Sequence, residues 1–486
     1  MKTITKKPTI RYLLMGFFLL AMIPKAFSQG EVIVAGTIKH SDFFLVNITF
    51  FKDYLQQEEE FVGGILDESE SFNTQFKIPR PSLIRLEHGN SKIELYLEPG
   101  DSIHVSFDNL NMKNTLIVSG TKRVEQQNRY LHDLKKEMYP YLYGNNAIHF
   151  FRDLNEKEYN IHADELKKRQ EQFLKSYQKE TSFSASFLNY AKCEIEYTWA
   201  ASLLNYPAYH QFFNNEETPT IVSDNYYRFL KKVNYLNLYD LNSSAYRDFL
   251  DAFINYELEL MPNPSNVLHR YFYKNRIEVI RKYLKGDALN YMLAQTFISA
   301  YQRGELYDLA RDVELFLLSD ALESYKDTVD ELYKIASTLR PGQPAPNFVL
   351  ETLEGDFMSF DDLKGKVVYI GFWATWCGPC KKEIDYSRTL KEQFNGQDVV
   401  FIYISLDDED DKDIWQWFVR QNKMEGIHLM AKGGFDSEVA KAYNVTGVPT
   451  YYLIDKNGKI ASNTPKLPSQ PGVGQEIQAV INFSSD

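Results

Sequence analysis

KVVYIGFWATWCGPCKKEIDYSRTLKEQF, Lys366 to Phe394, sets an apolar run directly against two cysteines and then against a charged segment. Lys366 to Ala374 is rich in β-branched and aromatic residues and reads as a strand. From Lys381 onward the apolar residues recur at helical spacing. Cys377-Gly378-Pro379-Cys380 therefore lies where a strand hands over to a helix, with Cys377 at the helix N-terminus. Unpaired backbone N–H groups and the positive end of the helix dipole stabilise an anion at such a place. Cys377 is thus favoured as a thiolate near neutral pH, and Cys380, one turn deeper, is placed to resolve rather than to attack. A zinc site would need two more ligands, but the only other cysteine is Cys193 and the nine histidines are scattered, so no metal is expected. A structural disulfide and a redox dithiol remain as readings of the pair.

Upstream, RPGQPAPNF (Arg340 to Phe348) places three prolines in six residues and marks the start of a new unit. Downstream, VVFIYISL, DIWQWFVRQN, IHLMA, SEVAKAYN and TYYLID alternate strand and helix patterns. Asn457-Gly458 then makes a hairpin to KIAS, and QEIQAVINF is a last helix. This order predicts a parallel-containing sheet covered on both faces. The acidic run Asp407-Asp408-Glu409-Asp410-Asp411 precedes a helix and reads as acids at its N-terminus rather than as a calcium loop.

Further out the period changes. Residues 121–340 are helical in pattern: Val124, Leu131, Leu134 and Met138 form one stripe, and no repeat length recurs, so an irregular helical region is expected. Cys193, in NYAKCEIEYTWAASLL, reads as a small buried apolar residue. Residues 29–120 alternate with period two and predict a small antiparallel β-sandwich. In KIELYLEPGDSIHVSF, Pro99 and Gly100 suit the centre of a type II turn, so the flanking strands are expected to pair as a hairpin. Most of the 33 Tyr and 33 Phe are expected in cores or interfaces.

The first residues, MKTITKKPTIRYLLMGFFLLAMIPKAFSQG, combine Lys2, Lys6, Lys7 and Arg11 with an apolar run from Tyr12 to Ile23. That run falls short of the ~20 residues that span a bilayer. Ala26-Phe27-Ser28 suits cleavage before Gln29, so residues 1–28 are read as a signal peptide and no stable membrane insertion is expected after its removal. In a Gram-negative cell this means the periplasm. A net charge of -12 argues against a nucleic-acid surface.

FWATWCGPC, GQPAPNF and Gly447-Val448-Pro449-Thr450 together resemble the exported TlpA/ResA-like thiol-disulfide oxidoreductases, a group within the AhpC/TSA superfamily. The resemblance covers the chain from about Pro341 to its end and implies a thioredoxin fold for 341–486. The expected whole is then multidomain: a signal peptide (1–28), a β-sandwich-like domain (29–120), an irregular α-helical domain (121–340) and the α/β thioredoxin-like domain. The resemblance further implies catalytic Cys377 and Cys380, a cis Pro449 facing them, and substrate binding by Trp376, Gly378, Pro379, Val448 and Pro449. Cytosolic thioredoxins carry a buried Asp six residues before the first cysteine, where this chain has Gly371, so another group must handle the proton. Glu383 matches the Glu implicated in ResA-like proteins, and it reads either as that proton handler or as a first-turn acid facing the helix dipole. Ala374 stands where peroxidatic family members have Thr or Ser, which argues against peroxidase chemistry.

The implied activity is reduction of disulfides in exported proteins, with the CxxCH pair of apocytochrome c one substrate suggested by analogy. Electrons would come from a membrane thiol donor, since no nucleotide-binding motif is present and no cofactor is expected. The alternative is an adaptor, in which the aromatic-rich first 340 residues bind one partner and the redox domain acts on or docks only that partner.

Overall fold

The computed structural model of the protein describes residues 30–55, 59–142, 144–180, 183–218, 220–234, 241–261 and 271–483. The proposed signal segment, 1–28, lies outside them. By internal contacts the chain divides into two compact units, 1–52 with 56–195, and 53–55 with 196–486. The boundary near Ile195 falls within a helix. The change from strand to helix near 120 and back to strand near 349 follows the expected pattern of secondary structure; compactness groups the helical residues 196–340 with the C-terminal region.

In the first unit, alternating sequences become strands buried in alternation. These are β1 (Glu31–Lys39), β2 (Leu45–Phe51), β3 (Glu59–Ile65), β4 (Ser71–Lys77), β5 (Ser82–His88), β6 (Ser91–Leu97), β7 (Ser102–Asp108) and β8 (Ile117–Gly120). They form two four-stranded sheets, β4-β1-β7-β8 and β3-β2-β5-β6, whose inward residues share one apolar cluster. Two expectations are corrected. The sheets are not wholly antiparallel, because β1 runs parallel to β7. Nor do β6 and β7 form a hairpin: β6 pairs with β5, and β7 pairs with β1 and β8. The turn itself is as read, with Gly100 at φ +97° and the Asp101 N–H donating to the Glu98 carbonyl at 3.0 Å. It is a corner that carries the chain from one sheet to the other. Ile93, Leu95 and Leu97 on one side and Ile103, Val105 and Phe107 on the other all enter the same core, which two facing sheets satisfy as well as one.

Helices α1 (Lys122–Leu142) and α2 (Glu156–Gln178) follow, and α3 (Ala185–Asn214) carries the unit boundary. The Asn128 side chain accepts from the Tyr96 N–H at 2.7 Å and donates to the Tyr96 carbonyl at 3.0 Å, tying α1 to the edge strand β6. The Tyr96 ring meets Phe187 edge-on at 5.0 Å, and Tyr130 meets Phe187 at 5.8 Å. This aromatic cluster accounts for part of the Tyr and Phe content. Cys193 is buried, as its apolar surroundings in sequence suggested.

The second unit contains α4 (Ser244–Glu259), α5 (Phe272–Tyr283), α6 (Gly286–Gln302) and α7 (Glu323–Thr338), then a seven-stranded sheet. Its strands are β9 (Val349–Thr352), β10 (Phe357–Ser359), β11 (Val367–Trp373), β12 (Val399–Ser405), β13 (Ile427–Met430), β14 (Thr450–Ile454) and β15 (Ile460–Ser462), in the order β10-β9-β13-β12-β11-β14-β15. Strands β11, β12 and β13 are parallel and β14 joins antiparallel. The β9–β10 hairpin had no sequence signal strong enough to separate it from the proline-rich entry. Helices α8 (Gly378–Gln393), α9 (Lys412–Gln421), α10 (Glu438–Ala442) and α11 (Val473–Phe483) complete the thioredoxin-like part. One sheet face packs in a cluster that includes Leu339 and is flanked by Ile335 of α7; the other packs in a cluster holding both cysteines with Ile384 of α8 and Ile477 of α11.

Candidate active site

Strand β11 is buried at every residue and ends at Trp373. The chain then turns through Ala374, Thr375 and Trp376, with the Cys377 N–H donating to the Ala374 carbonyl at 3.1 Å, and α8 begins at Gly378 with Cys377 as its N-cap. Pro379 lies in the first turn, where its missing N–H costs no hydrogen bond. Cys377 and Cys380 are joined in a disulfide, and the Cys380 N–H points at Cys377 Sγ from 3.1 Å. Once the disulfide is opened, this N–H and the helix dipole act on a negative sulfur at Cys377. Cys377 is 5% exposed and Cys380 1%, so the outer sulfur is the one an incoming disulfide can reach.

The Val448-Pro449 peptide is cis, and the Val448 carbonyl oxygen lies 3.7 Å from Cys377 Sγ. Val448 and Pro449 are partly exposed, and Gly378 and Pro379 are exposed beside the disulfide. The two tryptophans separate. Trp373 is buried in the cluster that holds the cysteines, whereas Trp376 is 60% exposed, 6.3 Å from the Phe435 ring. Of the residues expected to bind substrate, Val448 lies against the outer sulfur, Pro449 follows it across the cis bond, and Trp376, Gly378 and Pro379 flank Cys377 in the chain with their surfaces exposed.

Glu383 is the sixth residue of α8 and is half-buried. Its Oε2 accepts from the Ser469 N–H at 2.9 Å and its Oε1 from the Ser469 hydroxyl at 2.8 Å, which ties α8 to the segment before α11. Burial pushes the Tyr369 and Tyr451 hydroxyls well above the usual phenol range, and the Glu383 charge adds to both shifts. The two rings lie 5.1 Å apart. Gly371 pairs with Tyr451 in the sheet, and a Cβ at 371 would lie 2.6 Å from Tyr451 Cε1. The place of the thioredoxin acid is therefore filled by a tyrosine ring.

Asp407 departs from the reading of its acidic run. It is fully buried, and it accepts from the Thr375 N–H (3.0 Å to each oxygen), the Thr375 hydroxyl (2.7 Å) and the Ser405 hydroxyl (2.6 Å). The first acid of the run thus holds the turn two residues before Cys377. The 3₁₀ turn Glu409–Asp411 and α9 begin beyond it, and Asp408 to Asp410 are exposed. Its sequence neighbours hid Asp407; the signal present was its place right after a strand that parallels β11. Among the described residues no group of three or more His, Cys, Asp or Glu is arranged to hold a metal ion. No described helix is long and apolar enough to cross a membrane.

The sequence profile of the AhpC/TSA family matches residues 341–463. Thiol-disulfide oxidoreductase ResA of Bacillus thuringiensis subsp. konkukian is 41% identical over 120 residues, 24% of this chain and 66% of that protein. ResA of Geobacillus thermodenitrificans is 30% identical over 139 residues, 29% of this chain and 77% of that protein. The solved thioredoxin domain of a thiol-disulfide oxidoreductase from Bacteroides vulgatus is 24% identical, covering 30% of this chain and 99% of that chain, with a TM-score of 0.26. The chain spans 66% and 77% of the lengths of these two ResA proteins, and each likeness covers under a third of this chain.

Proposed function

We propose, from the premise that the chain belongs to the AhpC/TSA family as a ResA-like thiol-disulfide oxidoreductase, that Cys377 and Cys380 reduce disulfides of exported proteins in the periplasm. The observation that carries this reading is the Cys377–Cys380 disulfide at the head of α8, its outer sulfur beside the Val448 carbonyl. In the reduced enzyme the Cys377 thiolate attacks one sulfur of a substrate disulfide, forming a mixed disulfide and releasing one substrate thiolate. Cys380 loses its proton and attacks Cys377 Sγ, which frees the second substrate thiolate and closes the Cys377–Cys380 bond. Two electrons pass to the substrate, and a membrane thiol donor returns them. Val448 offers its carbonyl to an extended substrate segment, as in strand addition. The paired cysteines of an apocytochrome c are one substrate of this chemistry.

Glu383 is assigned the Cys380 proton, which requires it to exchange its Ser469 partners during resolution. Glu383→Gln is expected to slow exchange by about 10²-fold; an unchanged rate from pH 5 to 9 would return it to a purely structural role. Cys380→Ser should accumulate mixed disulfides with exported proteins on non-reducing gels and Cys377→Ser should not, so equal trapping by both refutes the roles. A potential of the pair near -270 mV fits a reductase, and one near -120 mV reverses the direction. An adaptor would leave insulin unreduced.

A further inference from the structure

Beyond the dithiol, the second unit contains a cleft of about 570 Å³ that reaches Pro449. Its size lies within the range of ligand sites, roughly 300 to 1,000 Å³. One wall is thioredoxin-like: Asn444, Thr446, Pro449 and Thr450, continued by Asn463, Thr464 and Gln470. The other wall comes from the helical residues, as the end of α6 and the turn after it supply Gln302, Arg303, Gly304 and Glu305, and Leu339 also lines it.

The walls are joined. Asn463 Nδ2 donates to the Gly304 carbonyl at 3.3 Å. Gly304 has φ +71°, and a Cβ there would meet Thr464 Cγ2 at 2.6 Å, so a glycine is what lets the turn approach the 463–464 segment this closely. The turn therefore has a fixed place at the cleft.

The lining decides what the cleft suits. Side-chain amides and hydroxyls dominate, and the single cation, Arg303, is offset by Glu305. A lipid or other apolar ligand would be poorly matched, and a strongly charged one would find no net charge to pair with. A polypeptide main chain presents neutral donors and acceptors in alternation, and amide side chains satisfy both. The cleft also begins one residue from Val448, whose carbonyl faces Cys377 Sγ.

We infer that the turn Tyr301–Glu305 is part of the substrate site, and that a polypeptide segment flanking the attacked disulfide lies between this turn and residues 463–470. This rests on the reading of Cys377–Cys380 as a protein-disulfide exchange centre. It gives the helical residues a direct part in choosing polypeptide over small disulfides.

The test uses the full chain with dithiothreitol supplying electrons, and compares kcat/KM for insulin with kcat/KM for hydroxyethyl disulfide, which is too small to need the cleft. Gln302→Trp, on the exposed turn, and Thr464→Trp, at the opposite wall, should each lower the ratio of insulin to small-disulfide reduction by about tenfold, chiefly through KM for insulin. Leu318→Trp, exposed on the helical part away from the cleft, should leave the ratio unchanged. Should Thr464→Trp misfold, the exposed Gln302→Trp decides. A ratio unmoved by Gln302→Trp overturns the inference while leaving the exchange activity standing. A wild-type chain that reduces neither substrate refutes the exchange activity itself.

Discussion

Strand β11 is buried at all seven residues, whereas β1 is buried only at every second one. The difference follows from what covers them. Parallel β11 and β12 lie inside a sheet with apolar clusters on both faces, so neither face can be polar. Strand β1 packs one face into a shared core and leaves the other, Glu31, Ile33, Ala35, Thr37 and Lys39, partly or fully exposed. The chemistry lies only with the first kind. Where two buried parallel strands end together, their loops converge at one edge: Cys377 follows β11, and Asp407, which holds Thr375, follows β12. In residues 30–120 the parallel strands β1 and β7 also end together, at Lys39 and Asp108, but each is buried only at alternate residues and their ends hold no cysteine. Burial on both faces is thus what lets a short loop be held tightly enough to present a reactive sulfur.

This contrast can be broken most forcefully at Gly371. Gly371→Asp would push a Cβ into the Tyr451 ring and bury a carboxylate, and it is expected to cost about 4 kcal/mol or prevent folding. A thermal melt matching wild type would mean that the ring moves freely and that the two-sided packing is looser than described.

Asp407→Ala leaves the Thr375 N–H and the Thr375 and Ser405 hydroxyls without their acceptor. The expected loss is about 3 kcal/mol by denaturant titration, with slower insulin reduction because the turn before Cys377 is freed. Asp407→Asn, which keeps one oxygen, should lose less. If alanine there changes neither stability nor rate, the β12 end takes no part in holding the site.

A third measurement concerns pH. Burial pushes the His428 imidazole down to about 4, with the nearby Lys391 charge adding to the shift and hydrogen bonds to the Met424 and Glu425 backbone opposing it. Its ring stacks on Tyr403, 5.3 Å away, and Nε2 donates to the Met424 carbonyl at 3.1 Å. The folded state therefore binds this proton less readily than the unfolded chain, whose histidine titrates near 6.5. Stability from this group is complete above about pH 6.5 and is lost as pH falls towards about 4, up to about 3 kcal/mol in all. Melting curves between these pH values should separate wild type from His428→Phe, which lacks the titration; parallel curves would show that burial of β13 exerts no such demand.

The smallest effect is expected on the singly covered sheets. The Lys135–Glu94 pair, 3.0 Å apart, is more than half exposed on both sides, and Glu94→Ala should change stability by less than about 0.5 kcal/mol and insulin reduction not at all. A clear fall in insulin reduction would give the first unit a part in the reaction that its fold does not suggest.

Much of the site was legible because its signals are local. A strand running into C-x-x-C and then a helix describes one element boundary, and the structure starts α8 where that reading put it. Asn457-Gly458 likewise sits in the turn between β14 and β15. The β6–β7 corner was misread for a related reason: Pro99-Gly100 specifies the turn, but whether the strands beyond it pair or part depends on a second sheet formed by other residues.

The amino-acid order by itself determined the dithiol, its place at a helix head, the succession of strands and helices after Arg340, and the proline that proves cis beside Cys377. Each follows from propensity, periodicity or motif within a short window. Only the tertiary structure decided that Tyr451 fills the space over Gly371, that Asp407 turns inward to Thr375 across 32 residues, that Glu383 meets Ser469 across 86, and that the Gly304 turn stands against Asn463 across 159. These pairings arise because packing a two-faced sheet brings distant strand ends and helix turns together, and no local preference encodes which distant partner arrives.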